Sequence, residues 1–379
     1  MSDALARLTA AFEYPFGRHG DAAEQARPVV VTSWPTVPVE IIRAAGFRPI
    51  VMRGQSRRTP LANLVLESHV FPNRLHQLVQ SALAGELAEA ACVVLPRTSD
   101  PDYKAFLYLR ELGRRDLLVL GAPVLLFDLL QSSSPDIQPY NTARTRELFE
   151  SLVALAQRRV SAVDVRHAIA QADLAREALG RLLALRRGVP RVSGSEVLPL
   201  IGAFWQLAPE RYAGLATQAA DVLARRAPLD GPRVALIGAP MDGPALHAAI
   251  ESHGAVVVAE PGPWGSDAAL GDAASGDDPF TVIAERYRRW AIGSRTPRTT
   301  MRHRLAHLIG SVDAVVVSLP PDDAVFGWEY PALRAWMEEH RLPHVCVSGD
   351  PCEPLSAQDD ERLSTLIGST CQRAGTHHV

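Results

Sequence analysis

Sulfur is scarce in this chain. Its 379 residues include four cysteines, Cys92, Cys346, Cys352 and Cys371, and no two stand in a Cys-x-x-Cys spacing. By themselves they supply neither a zinc site nor an iron–sulfur cluster motif. Cys92 and Cys346 lie in apolar, strand-like runs, the usual setting of an inert buried thiol. Excess positive charge is also missing. The net charge is -3, so no global field exists to hold nucleic acid or an anionic membrane. Long apolar runs are absent: the stretch from Asp116 to Leu130 is too short and too broken to span a bilayer. Met1 to Phe16 shows no basic segment followed by a long apolar run, so no secretory signal is expected. Scattered cysteines without an export signal predict reduced thiols in the cytoplasm. The turn from Ile237 to Gly243 lacks the Gly-x-Gly-x-x-Gly spacing. Pro240 stands where a pyrophosphate would need close backbone approach, so the turn reads as a plain strand-to-helix connection.

Apolar residues make up 47% and charged residues 21%, the mix of a globular protein of two or three domains. Pro28 to Ser33 is an apolar run ending in small polar residues, and Pro38 to Ala45 reads as a helix stopped by Gly46. Further strands are predicted at Phe47 to Arg53, Ala91 to Pro96 and Leu117 to Leu120. A second set follows at Pro232 to Gly238, Ala255 to Glu260, Asp313 to Ser318 and Pro343 to Ser348, with helices over Pro244 to His253 and Glu329 to His340. Near-continuous apolar strands alternating with helices argue for parallel sheets covered on both faces. Between the two sets the apolar period is helical. The expectation is therefore an α/β protein with two flavodoxin-like or Rossmann-like lobes, 1–140 and 229–379, joined by a helical connector at 141–228. Gly262 to Asp278, rich in Gly, Asp, Ala and Ser, reads as a mobile surface loop. Ligands of such sheets sit beyond the carboxyl ends of the strands. That places candidate loops at Thr32 to Pro38, Arg97 to Lys104, Gly238 to Asp242 and Leu319 to Trp328.

Other groupings have competing explanations. Arg286, Arg288, Arg289, Arg295, Arg298, Arg302 and Arg304 suit phosphates such as those of coenzyme A, but a solvated helix face or a subunit contact is the commoner reading. His303 and His307 share a helix face with no third metal ligand nearby. Asp322, Asp323 and Glu329 offer acid–base chemistry or a cation site, and ordinary helix capping accounts for them more simply. Trp264 and Trp328 fall in loops at strand ends, where they line a pocket or pack against a lobe.

Several stretches, in order, resemble the 2-hydroxyacyl-CoA dehydratase family, which includes the benzoyl-CoA reductase subunits. The first is Pro38-Val39-Glu40-Ile41-Ile42-Arg43-Ala44-Ala45-Gly46-Phe47-Arg48-Pro49. Thr98-Ser99-Asp100 follows, with Tyr103-Lys104 and Tyr108 to Glu111. Then come Phe127 to Leu130 with Tyr140-Asn141 and Arg144, Gly238 to Asp242 running into Ile250 to Val257, and Phe326 to Leu333 leading to Leu342-Pro343. The resemblance implies two flavodoxin-like lobes around a cleft, paired subunits, and a separate ATP-hydrolysing iron–sulfur activator. A cysteine-held [4Fe-4S] cluster would pass an electron to a CoA thioester. Reduction to a ketyl radical then permits loss of the 2-hydroxyl, or ring reduction in the benzoyl-CoA branch.

This sequence departs from the family where the cluster cysteines belong. Those three places hold Phe71, Ser99 and Pro321 or Asp322, none of which is a thiolate. The expectation is a cluster-free subunit of a heteromeric enzyme acting on an acyl-CoA or aromatic acyl-CoA. No cofactor is held here, and a cysteine-bearing homologous subunit carries the [4Fe-4S] cluster. Thr32, Ser33, Thr36, Ser99, Asp100, Lys104, Asp322 and Trp328 are the predicted substrate contacts, with small hydroxyls and backbone amides positioned for a thioester carbonyl. Capping and turn closure explain the hydroxyls equally well. A binding or scaffold protein that lost the chemistry, or a non-redox CoA-ester enzyme using Asp322, Asp323 or Glu329 as base, are the alternatives.

Overall fold

The computed structural model describes residues 2–17, 19–97, 99–118, 122–131, 134, 136–270, 276–290, 302, 305–321 and 323–376. Chain order runs α1 (Asp3–Glu13), α2 (Ala22–Gln25), β1 (Val29–Thr32), α3 (Val39–Ala44), β2 (Arg48–Val51), α4 (Asn73–Leu83), β3 (Ala90–Pro96), α5 (Asp100–Arg114) and β4 (Val124–Phe127). Four helices follow: α6 (Ile137–Ala156), α7 (Ala162–Ala184), α8 (Gly194–Gln206) and α9 (Pro209–Leu223). The rest comprises β5 (Arg233–Gly238), α10 (Ala245–Ser252), β6 (Val256–Ala259), α11 (Pro279–Trp290), β7 (Ala314–Ser318), α12 (Ala324–Glu339), β8 (His344–Val347) and α13 (Ala357–Thr376).

Two four-stranded sheets result, ordered β2-β1-β3-β4 and β6-β5-β7-β8. Every pairing is parallel, as Val31 against both Ile50 and Val93 illustrates. β1, β2, β3, β5 and β7 are buried along most of their length, so their Val-rich runs need helices on both faces, while β4, β6 and β8 are partly exposed. This is the predicted α/β architecture of two flavodoxin-like lobes. Their strand orders match, so each sheet places its first strand beside its second and third.

The fourth strand differs from expectation. It is Val124–Phe127, bonded to Val93–Pro96, and not Leu117 to Leu120. Asp116 takes a left-handed φ of 55° after α5, and Leu117 is exposed, so that apolar run begins in a turn. The helix expected at Glu329 starts earlier, at Ala324, because the Asp323 carboxylate caps it by accepting from Phe326 N–H at 3.0 Å. The segment opening at Gly262 is not a surface loop where it is described. Trp264 and Asp267 are buried, and the Asp267 carboxylate accepts the Gly262 N–H at 2.9 Å.

Sequence capping signals explain the helical layer. Ser161 with Asp164 and Ser193 with Glu196 form capping boxes on α7 and α8. The apolar faces of α6 to α9 share one core with α1, α3 and one face of the first sheet. Chain from the second half enters that core as well. Phe280, Ile283 and Tyr287 of α11 pack into it, with Phe149 and Phe280 at 5.3 Å between ring centres. Trp264 joins Phe12 and Trp34, each 6.2 Å away.

Candidate functional site

The carboxyl ends of β1 and β3 meet at one buried ion pair. Ser99 caps α5 by accepting the Asp102 N–H at 3.2 Å, and its hydroxyl donates to Asp102 Oδ2 at 2.6 Å. From β1's end the Ser33 hydroxyl donates to Asp102 Oδ1 at 3.3 Å. Arg74 of α4 grips the same carboxylate with both guanidinium nitrogens, at 2.7 and 3.0 Å, and lies over the Trp34 ring at 4.5 Å. A bidentate fork of this kind orders planar groups well. Ser33 and Ser99 are therefore brought together, on an acid that sequence reasoning passed over. The Ser99-x-x-Asp102 spacing was the available signal.

The other predicted contacts disperse. Thr32 is buried, its hydroxyl donating to the Trp34 carbonyl at 3.1 Å. Thr36 is buried, and its hydroxyl has no hydrogen-bond partner among the described residues. Asp100 and Lys104 lie exposed on α5, and Trp328 is 83% exposed on α12. Asp322 lies outside the described residues, as do Thr98, Arg295, Arg298, His303 and Arg304, together with the Arg289 side chain. Of the three positions expected to replace the family's cysteines, Phe71 is buried in the first lobe, its ring centre 5.6 Å from that of Tyr108. Ser99 is engaged on Asp102, and Pro321 is exposed.

Beyond β2, β5 and β8 the two lobes touch through a small clasp. Gly54 N–H donates to Asp242 Oδ2 at 2.7 Å, and the Cys352 thiol reaches Asp242 Oδ1 at 3.6 Å. The Ser56 hydroxyl donates to Glu353 at 3.0 Å. A Cβ on Gly54 would stand 2.3 Å from Cys352 Sγ, and one on Gly243 2.8 Å, so glycine is required for this approach. Burial pushes the Asp242 carboxyl above the usual carboxylate range, with the Gly54 N–H opposing it. Burial, and then Asp242, push the Cys352 thiol upward as well. Cys92, buried in β3, is pushed up to about 12 by burial. Cys371 is exposed. Among the described residues, no three His, Cys, Asp or Glu side chains gather as a metal site. No helix among them is long and apolar enough to cross a membrane.

Three of the arginines grouped in the sequence have definite places, Arg302 among them, donating to the Ala332 carbonyl at 3.2 Å. Arg286 is buried and donates to Glu40 at 3.2 Å and to Asp173 at 2.8 Å. Arg288 pairs with Glu285 on its own helix at 2.5 Å. Arg176 of α7 also holds Glu40, at 2.5 Å, and the Tyr287 hydroxyl donates to it at 2.7 Å while accepting the Val39 N–H. Burial opposes ionisation of Glu40, yet Arg176 and Arg286 hold its carboxyl down to about 2. In the sequence Glu40 is one residue of the motif that opens α3. Its partners, 136 and 246 residues away, left no local trace.

A protein-family model described as 2-hydroxyglutaryl-CoA dehydratase, D-component, matches residues 36–369 of the chain. Among curated proteins none matches it.

Proposed function

The chain belongs to the 2-hydroxyglutaryl-CoA dehydratase D-component family, and from that premise we propose that it is the cluster-free subunit of an acyl-CoA dehydratase or benzoyl-CoA reductase-like enzyme. A cysteine-bearing homologous subunit would hold the [4Fe-4S] cluster, charged by an ATP-dependent iron–sulfur activator. The observation that carries this reading is the side-chain chemistry at three positions. A cubane needs thiolates. Phe71 is an apolar ring inside the first lobe, Ser99 has its hydroxyl on Asp102, and Pro321 has no donor atom. Cys352 is a single thiol engaged with Asp242. These residues do not fit such a group.

Its part is to shape the cleft and hold the thioester. Lys104 offers an ammonium to phosphate and Trp328 an indole face to a base, and both are exposed. The Arg74–Asp102 pair, with Ser33 and Ser99, fixes the start of α5, from which Asp100 and Lys104 project. Thr32 closes the turn after β1 through the Trp34 carbonyl.

Co-expression with a cysteine-bearing homologue, followed by anaerobic separation of the chains, tests this. Iron and sulfide should stay with the partner, and turnover of a 2-hydroxyacyl-CoA or aromatic acyl-CoA should need both chains and the activator. Stoichiometric iron and sulfide on this chain alone would overturn the proposal.

A further inference from the structure

A cavity of about 630 Å³ opens beside the clasp, within the range of roughly 300–1,000 Å³ common to small-molecule sites. Leu5 and Phe12 of α1, Pro199 and Leu200 of α8, and Leu223 of α9 give it an apolar body. None of Thr32, Ser33, Thr36, Ser99, Asp100, Lys104 or Trp328 lines it, so it is separate from the site proposed for the thioester.

Two arginines stand in its wall. Arg226 is matched by Glu196 at 2.6 Å. Arg53 is not matched. Its Nε donates to the Phe12 carbonyl at 3.2 Å and one terminal nitrogen to the Gly54 carbonyl at 3.0 Å, while its guanidinium lies over the Phe12 ring at 4.1 Å. Asp242 and exposed Glu13 attract it without an ion pair, among the described residues. A guanidinium carries five N–H donors, and two are used here. A half-buried cation with spare donors in an apolar cavity calls for an anion.

We propose that this cavity binds an apolar carboxylate, with the carboxyl group on Arg53 and the chain or ring against Leu200 and Leu223. Phe12 holds the guanidinium flat, so both carboxylate oxygens meet its edge.

Calorimetric titration of the full chain with octanoate, and with 1-octanol as the neutral comparison, tests the assignment. Octanoate should bind at one saturable site at least about ten-fold tighter than octanol, as expected for a charge-assisted pair. Arg53→Met, which keeps an apolar stem on Phe12, should erase that preference. Ala248→Phe, at an exposed position that lines the cavity, should abolish binding of both while circular dichroism stays unchanged. No saturable octanoate binding by the wild-type chain, or a preference that survives Arg53→Met, overturns the proposal. If Arg53→Met fails to fold, Ala248→Phe decides: undiminished octanoate binding overturns it.

Discussion

Replacing Glu40 with glutamine removes one charge and almost no volume, so its effect reports the electrostatics of the buried network alone. The wild-type carboxylate is inaccessible and meets Arg176 at 2.5 Å and Arg286 at 3.2 Å, and neither arginine is more than 1% exposed. In Glu40→Gln both guanidiniums lose that buried charge, and the carboxylate still paired with them is Asp173, whose side chain is 34% exposed. Uncovering a buried partner in this way costs roughly 3–5 kcal/mol. A second route gives a similar figure. The carboxyl falls from an ordinary 4.5 to about 2 on folding, which corresponds to roughly 3 kcal/mol of stability. Because the folded value is the lower one, that stability is complete above pH 4.5 and is lost as pH falls towards 2. Urea unfolding of both proteins, followed by circular dichroism between pH 7 and pH 3, measures the gap. It should be constant from pH 7 to about pH 5 and reduced by more than half at pH 3. A gap under about 1 kcal/mol at pH 7, or one that does not shrink in acid, would refute the reasoning.

Asp102→Asn strands Arg74, whose side chain is 9% exposed, and should cost about 3 kcal/mol in the same unfolding assay, against about 1 kcal/mol for the cap lost in Ser99→Ala. Equal losses would mean that the ion pair is not what orders this loop. Gly54→Ala would set a methyl 2.3 Å from Cys352 Sγ, so the clasp should open. At pH 8 a thiol reagent should then label Cys352, which stays protected in the wild type while exposed Cys371 reacts at once. Unchanged labelling would show that the clasp yields without opening.

Seven of the eight strands were legible because parallel strands covered on both faces are written as unbroken apolar runs. The eighth was misplaced because Leu117 to Leu120 carries the same composition as Val124–Phe127, and only pairing with Val93–Pro96 separates them. The helical layer could be read from its period, although its capping boxes went unread. The site was less legible. Ser33 and Ser99 look like ligand-facing hydroxyls in sequence and turn out to serve Asp102. Glu40 looks like an ordinary helix-surface acid, since its burial depends on Arg176 and Arg286, which lie far along the chain. Trp264 and Trp328 read alike in sequence, yet one is 1% and the other 83% exposed. Local pattern reports which face is apolar, and only the packed fold reports what covers it.

The visit that α11 pays to the opposite half bears on how this protein can be taken apart. Glu40 sits near one end of the polypeptide, while Arg286 and Tyr287 come from beyond β6. A chimera spliced between α9 and β5 would inherit Glu40 and Arg176 from one parent, and Arg286 and Tyr287 from the other. The natural seam for exchanging parts between relatives is therefore not a single cut. The transplanted front portion must take along the strip from Trp264 to Tyr287.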